Sequence, residues 1–113
     1  MKTFMLTLLI AIRAVESTNG LTSHNQYQIR DVCVQDVNRI YNTHYTMHNA
    51  YNHEKSKEIA ILYLTYWGNE YVKSQHRIPT DETYARIWNG GPNGWKKKST
   101  KKYWNKVKKH LNK

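Results

Sequence analysis

Residues 54–68 read EKSKEIAILYLTYWG, and the spacing within that stretch decides the fold class. Ile59, Leu62, Tyr63 and Tyr66 recur at steps of three and four, so they share one face of a helix from Glu54 to about Trp67, with Gly68 as its C-terminal stop. The same period appears on both sides. Upstream, Val32, Cys33, Val37, Ile40 and Tyr41 mark an amphipathic helix with Asp31 near its N-cap. Downstream, Pro79-Thr80-Asp81-Glu82 is a helix start: a capping hydroxyl followed by acids in the first turn. That helix carries Tyr84, Ile87 and Trp88 and ends at Asn89-Gly90-Gly91-Pro92-Asn93-Gly94, a composition that demands tight turns and close backbone approach. Ser99 or Thr100 caps a last helix with Tyr103, Val107 and Leu111 on its apolar side. Tyr27-Gln28-Ile29 alternates over too few residues to be more than a short irregular or β-like segment. The expectation is an all-α chain of about five helices, a single domain over residues 1–113 without repeat or linker.

Composition narrows the partners. Eighteen Lys and Arg against eight Asp and Glu give a net charge of +10, which points to a polyanion or an anionic surface. Four Trp and nine Tyr beside one Phe are too aromatic for a disordered basic tail and suit a groove of rings with polar edges. One cysteine, Cys33, excludes an internal disulfide framework and a cysteine-rich zinc site. At the N-terminus, Lys2 precedes an apolar run over residues 4–12 that has the look of a short secretory leader. The run is far short of the roughly 20 residues that span a bilayer, so no transmembrane segment is expected. Arg13 follows at once with no clean cleavage site, and Leu8, Ala11, Ile12 and Val15 recur at helical spacing. The buried-helix reading is preferred to the leader.

Glu16 stands out chemically. It closes the apolar helix in Ala11-Ile12-Arg13-Ala14-Val15-Glu16-Ser17. A carboxylate at such a rim loses solvation, which favours the protonated form that a general acid needs near neutral pH. For an arbitrary Glu, a solvated helix end is the better reading, and neighbouring motifs change the odds.

Three pieces, in order along nearly the whole chain, resemble the lysozyme superfamily, in particular its lytic transglycosylase and invertebrate-type lysozyme branches. Residues 11–17 resemble the helix end that carries the family's catalytic acid, so Glu16 and Ser17 fall on its Glu-Ser pair. Asn25-Gln26-Tyr27-Gln28-Ile29 is similar to the segment that lines the cleft, and residues 85–94 resemble the aromatic-Asn-Gly element that faces the acid. Tyr103-Trp104-Asn105-Lys106-Val107 is also similar to invertebrate-type and related bacterial sequences. The resemblance implies a phage- or bacterial-type monomeric enzyme acting at the cell wall on the β-1,4 bond between N-acetylmuramic acid and N-acetylglucosamine. Glu16 would be the acid/base. Ser17, Tyr27, Gln28, Trp88 and Asn89 would shape the cleft, with ring faces from Tyr27 and Trp88, and Gly90 and Gly91 would give close backbone access. Peptidoglycan strands and anionic wall polymers are the implied partners, without cofactor, metal or specific nucleic acid.

One departure matters. Invertebrate-type lysozymes carry an Asp after the Glu, and residues 17–26 here hold no acid. Retaining and inverting glycosidases both need two carboxyls at set separations. Asp31 lies beyond Ile29 and reads as a helix start. The gap favours a transglycosylase that uses one Glu as acid and then base. A muramidase-type hydrolase, a weakened sugar-binding remnant and a basic nucleic-acid-binding domain are the alternatives. The last draws on Lys96 to Lys98, Lys101, Lys102, Lys106, Lys108 and Lys109, interleaved with Trp95, Tyr103 and Trp104; a solvated helix face or an anchor to the wall are the competing readings of those lysines. His44, His48 and His53 read as surface histidines rather than a zinc site, and Cys33 as a buried, inert thiol.

Overall fold

The computed structural model describes residues 3–19 and 25–112, with side chains from residues 5–16 and 25–112. Five α-helices account for most of it: α1 (Thr3–Asn19), α2 (Asp31–Tyr41), α3 (His53–Gln75), α4 (Asp81–Gly90) and α5 (Lys101–Leu111). Short 3₁₀ turns at Met47–Tyr51, Gly94–Lys96 and Lys98–Thr100 complete the order, and no strand occurs among the described residues. The all-α expectation is met. Among the described residues no helix is long and apolar enough to cross a membrane.

The chain divides into two compact units, one of residues 1–15 and 64–113 and one of residues 16–63, with boundaries inside α1 and α3. In the first, Met5, Leu8, Leu9, Ile12 and Val15 of α1 are buried, as are Leu64, Tyr71, Ala85, Ile87, Tyr103 and Val107. Burying one such side chain contributes about 1.5–3 kcal/mol. In the second unit the buried set is Tyr27, Ile29, Val34, Val37, Ala50, Ile59, Ala60 and Tyr63.

Helix ends follow their local chemistry, with two corrections. Asp31 is the first helical residue of α2 and Arg30 its N-cap, without a side-chain cap; the acid acts on the helix dipole instead. Gly68 does not stop α3, which runs on to Gln75. A Cβ at Gly68 would lie 2.6 Å from Tyr84 Cε1, so the glycine serves a close approach between α3 and α4. The helix ends at His76, whose φ of 56° is left-handed and whose N–H donates to the Val72 carbonyl at 2.9 Å. The α4 start agrees with its sequence signature. Thr80 Oγ1 accepts from the Thr83 N–H at 3.2 Å, and the Thr80 N–H donates to Thr83 Oγ1 at 3.0 Å.

Candidate functional site

The smaller unit holds the N-terminal half of the expected site. Glu16 lies in the last two turns of α1, directly after Val15, which is 4% exposed, and is itself half-buried. Ser17 is helical in backbone, and its side chain falls outside the described residues, as does the acid-free stretch 20–24. The next expected piece, residues 25–29, is a closed turn with no strand pairing. Asn25 builds it: its Nδ2 donates to the Ile29 carbonyl at 2.8 Å and its Oδ1 accepts the Ile29 N–H at 2.9 Å. Both backbone groups of a buried residue are thereby satisfied by one side-chain amide. Gln28 occupies the tip with φ 53°, half-buried, its N–H and Nε2 both donating to the Asn25 carbonyl at 3.0 and 3.1 Å. Tyr27 departs from expectation. It is 3% exposed, and a ring so covered offers no face to a pyranose; its place is in the core.

Asn25 is the residue that sequence reading passed over. Asn25→Ala is expected to leave the Ile29 N–H and carbonyl unpaired, costing about 2–4 kcal/mol at the usual cost of orphaned buried groups. Urea unfolding of the two proteins checks it. A loss under 1 kcal/mol would mean that the turn holds without the amide.

No candidate for the second carboxylate emerges nearby in sequence. Asp31 is exposed and accepts a hydrogen bond from Gln35 on its own helix. His53 Nδ1 lies 3.2 Å from Gln26 Oε1. Among the described residues no three of His, Cys, Asp and Glu cluster closely enough to hold a metal ion. Cys33 is half-buried, and burial, with Asp36 nearby, pushes its thiol up to about 12, which makes it a poor nucleophile.

The larger unit holds the other half. Trp88, Asn89 and Gly90, all half-buried, form the last turn of α4. Gly91 follows with φ 88° and ψ −171°, a backbone region that only glycine adopts freely, and a Cβ there would meet nothing within 4 Å. The peptide is therefore bare on that side, as close backbone access to a ligand requires. A network that sequence reading did not find holds this turn. Arg86 Nε donates to Thr100 Oγ1 at 2.8 Å, Nη1 to Glu82 Oε2 at 2.7 Å and Nη2 to the Lys97 carbonyl at 2.7 Å. Lys97 Nζ donates to the Gly90 carbonyl at 2.7 Å, where a cation suits the C-terminal end of the helix. Thr100 is 1% exposed and forms no N-cap hydrogen bond for α5; its hydroxyl lies 2.7 Å from the Gly94 carbonyl and 2.8 Å from that of Lys97. Its position before the helix was legible, and its task was not.

Glu82 closes the network, accepting from Arg86 and, at 3.1 Å, from Lys101. Burial alone would raise its carboxyl, and the hydrogen bonds and charges of Arg86 and Lys101 outweigh that, so it titrates below the usual 4.5. A value lowered by folding contributes stability above the unfolded pKa and loses it as pH falls through the folded one. The melting-temperature gap between the parent and Glu82→Gln is expected to hold from pH 7 to 5 and to close below about 4.5. A gap that persists at pH 3 would assign the difference to packing.

The same unit contains a cavity of about 350 Å³ bordered by Tyr71, Ile78, Thr83, Glu82, Arg86 and Trp95. None of the expected site residues lines it, and the Arg86 nitrogens on its wall are all committed to the network above. No protein-family model, curated protein or solved structure matches the chain.

Proposed function

We propose that the chain is a peptidoglycan-cleaving glycosidase that breaks the β-1,4 bond between N-acetylmuramic acid and N-acetylglucosamine by a single-Glu lytic transglycosylase mechanism. The observation that carries this reading is Glu16, a half-buried carboxyl on a helix that buries Leu8, Leu9, Ala11, Ile12 and Val15 on one face, in a chain whose glycine turn follows in the order the resemblance requires. Glu16 donates its proton to the glycosidic oxygen as the bond from C1 of the muramic unit breaks. The resulting carboxylate lies beside the oxocarbenium-like centre. It then takes the proton from the C6 hydroxyl of the same unit as O6 bonds to C1, which yields the 1,6-anhydro product and restores the acid.

One carboxyl suffices for this sequence of steps. That fits a chain with no acid in residues 17–26 and with Asp31 bonded on its own helix. Trp88 and Asn89 are the side chains we assign to the sugar, a ring for stacking and an amide for N-acetyl or hydroxyl groups. Gln28 is assigned a second polar contact. Digestion of purified peptidoglycan followed by mass spectrometry of the muropeptides tests the proposal. Anhydro-muramic ends are the expected product, and the absence of any product would overturn it.

A further inference from the structure

The cavity of about 350 Å³ in the larger unit is bordered by none of the residues assigned to the sugar. Its size falls at the lower end of the range for small-molecule sites, about 300–1,000 Å³. Most polar groups on its border are engaged within the protein. Arg86 and Lys101 both donate to Glu82, and the Thr80 and Thr83 hydroxyls are bonded to one another at 3.0 Å. Three groups on the border are not engaged. The Arg77 guanidinium, the Tyr71 hydroxyl and the Trp95 indole N–H have no hydrogen-bond or ion-pair partner among the described residues. Arg77 is exposed and Trp95 half-buried, but Tyr71 is only 8% exposed, and a side chain so covered usually finds a partner for its hydroxyl. Nor is that oxygen sealed in the core: among the described residues, the sealed side-chain atom without a partner is Thr65 Oγ1.

The three open groups share one chemistry. Guanidinium and indole only donate hydrogen bonds, and a phenol donates as well as accepts. A ligand that satisfies all three is rich in acceptors. Arg77 adds a full positive charge, while the carboxylate on the border, Glu82, is already held by Arg86 and Lys101. An oxyanion answers both demands, since a guanidinium fork takes a carboxylate or a phosphate alike.

The remainder of the border is apolar. Tyr71 and Trp95 pack edge to face, with centroids 5.1 Å apart and planes at 80°, and Lys96 Nζ stands over the Trp95 ring at 5.6 Å. The two rings make a corner held by its own contacts. Ile78 stands on the same border and is 85% exposed. An exposed apolar side chain says little by itself. Ile78 lies between Arg77 and Pro79, in a loop where the proline favours extended backbone at residue 78, and it borders the same cavity as the rings and the free cation.

We propose that this cavity binds a small organic acid with a flat apolar body, its oxyanion taken by Arg77 with the Tyr71 and Trp95 donors and its body set against Ile78 and the two rings. The site stands apart from the glycosidase reading, because neither its argument nor its test involves Glu16 or cleavage of the glycan.

Titration of the isotope-labelled full chain with phenylacetate tests it, followed by nuclear magnetic resonance on the indole N–H signals of the four tryptophans, with Trp95 assigned through Trp95→Phe. The Trp95 signal is expected to move most of the four and to saturate at roughly millimolar ligand, the range for an acid of about ten non-hydrogen atoms. Arg77→Gln alters an exposed, unbonded side chain and is expected to weaken binding about 10-fold; Tyr71→Phe keeps the ring and is expected to weaken it about 3–10-fold. The backbone spectrum of each variant confirms that it is folded. Phenylacetamide, the same body without the charge, is expected to bind about 10-fold more weakly than the acid. Phenyl phosphate against phenylacetate shows which oxyanion the site prefers, and tight binding of either supports the proposal. No saturable movement of the Trp95 signal with either acid would overturn it. Equal affinity for acid and amide, or for parent and Arg77→Gln, would do the same. Tighter binding of N-acetylglucosamine than of both acids would make the cavity a sugar site and overturn the proposal as well.

Discussion

Glu16→Gln is expected to give a folded protein that releases no muropeptides from a digest in which the parent releases anhydro-muramic ends. The substitution keeps the size of a half-buried side chain while removing its charge and its ability to give and take a proton. A positioned general acid contributes about 10²–10⁴-fold, and a mechanism in which the same group acts twice places the loss at the upper end of that range. Glu16→Asp retains the proton and withdraws it by roughly one bond length; a displacement of about 1 Å costs on the order of 10²-fold, so partial activity is expected. Circular dichroism confirms that the Gln variant is folded. The product identity decides the mechanism independently of the rate. Reducing ends in place of anhydro ends would make the protein a hydrolase and oblige a second carboxylate to be found. Product from Glu16→Gln at the parental rate would remove Glu16 from the chemistry altogether.

What the sequence made legible was periodicity, and what it concealed was the use of single polar and small residues. The apolar steps of α2, α3 and α5 and the capping signature of α4 are local signals, and each corresponds to an observed helix. Gly68 has the sequence context of a terminator, yet its job is set by Tyr84, sixteen residues on, a contact that no local window contains. Thr100 has the context of an N-cap and is drawn instead to the Gly94 and Lys97 carbonyls, because a buried hydroxyl takes whichever partner tertiary structure supplies. Tyr27 belongs to a motif whose neighbours are polar, and the resemblance implied a ring face for the sugar there; with 3% of its surface exposed, the ring lies in the core instead. Asn25 gave no periodic signal at all, since its role is to satisfy a backbone four residues away. Glu16, Trp88, Asn89 and the glycines are thus candidates by residue type and motif alone, whereas the groups that hold the glycine turn in shape gave no sequence signal.

Gly94→Ala is the substitution expected to damage that turn most. Gly94 is buried, and a Cβ added there would run into the carbonyl group of Arg86, with the Cα of Ile87 also only 3.1 Å away. Both obstacles are backbone of α4, so no rotamer change relieves them. The chain must lift residues 91–97 away from the helix, which pulls the Gly94 carbonyl from Thr100 and the Lys97 carbonyl from Arg86. Overpacking of this kind costs about 1–3 kcal/mol, and two hydrogen bonds add about 1 kcal/mol each. A total of about 3–5 kcal/mol corresponds to a fall of roughly 10–20 °C in melting temperature for a chain of this size. Gly91→Ala provides the contrast. With open space around its Cβ, it meets only the backbone penalty of its φ and ψ, about 1–3 kcal/mol. Thermal unfolding of the two variants therefore separates close packing from backbone conformation. Equal losses would show that strain alone sets the turn. A Gly94→Ala protein as stable as the parent would mean that the turn does not rest on α4 as closely as the Arg86 carbonyl contact requires.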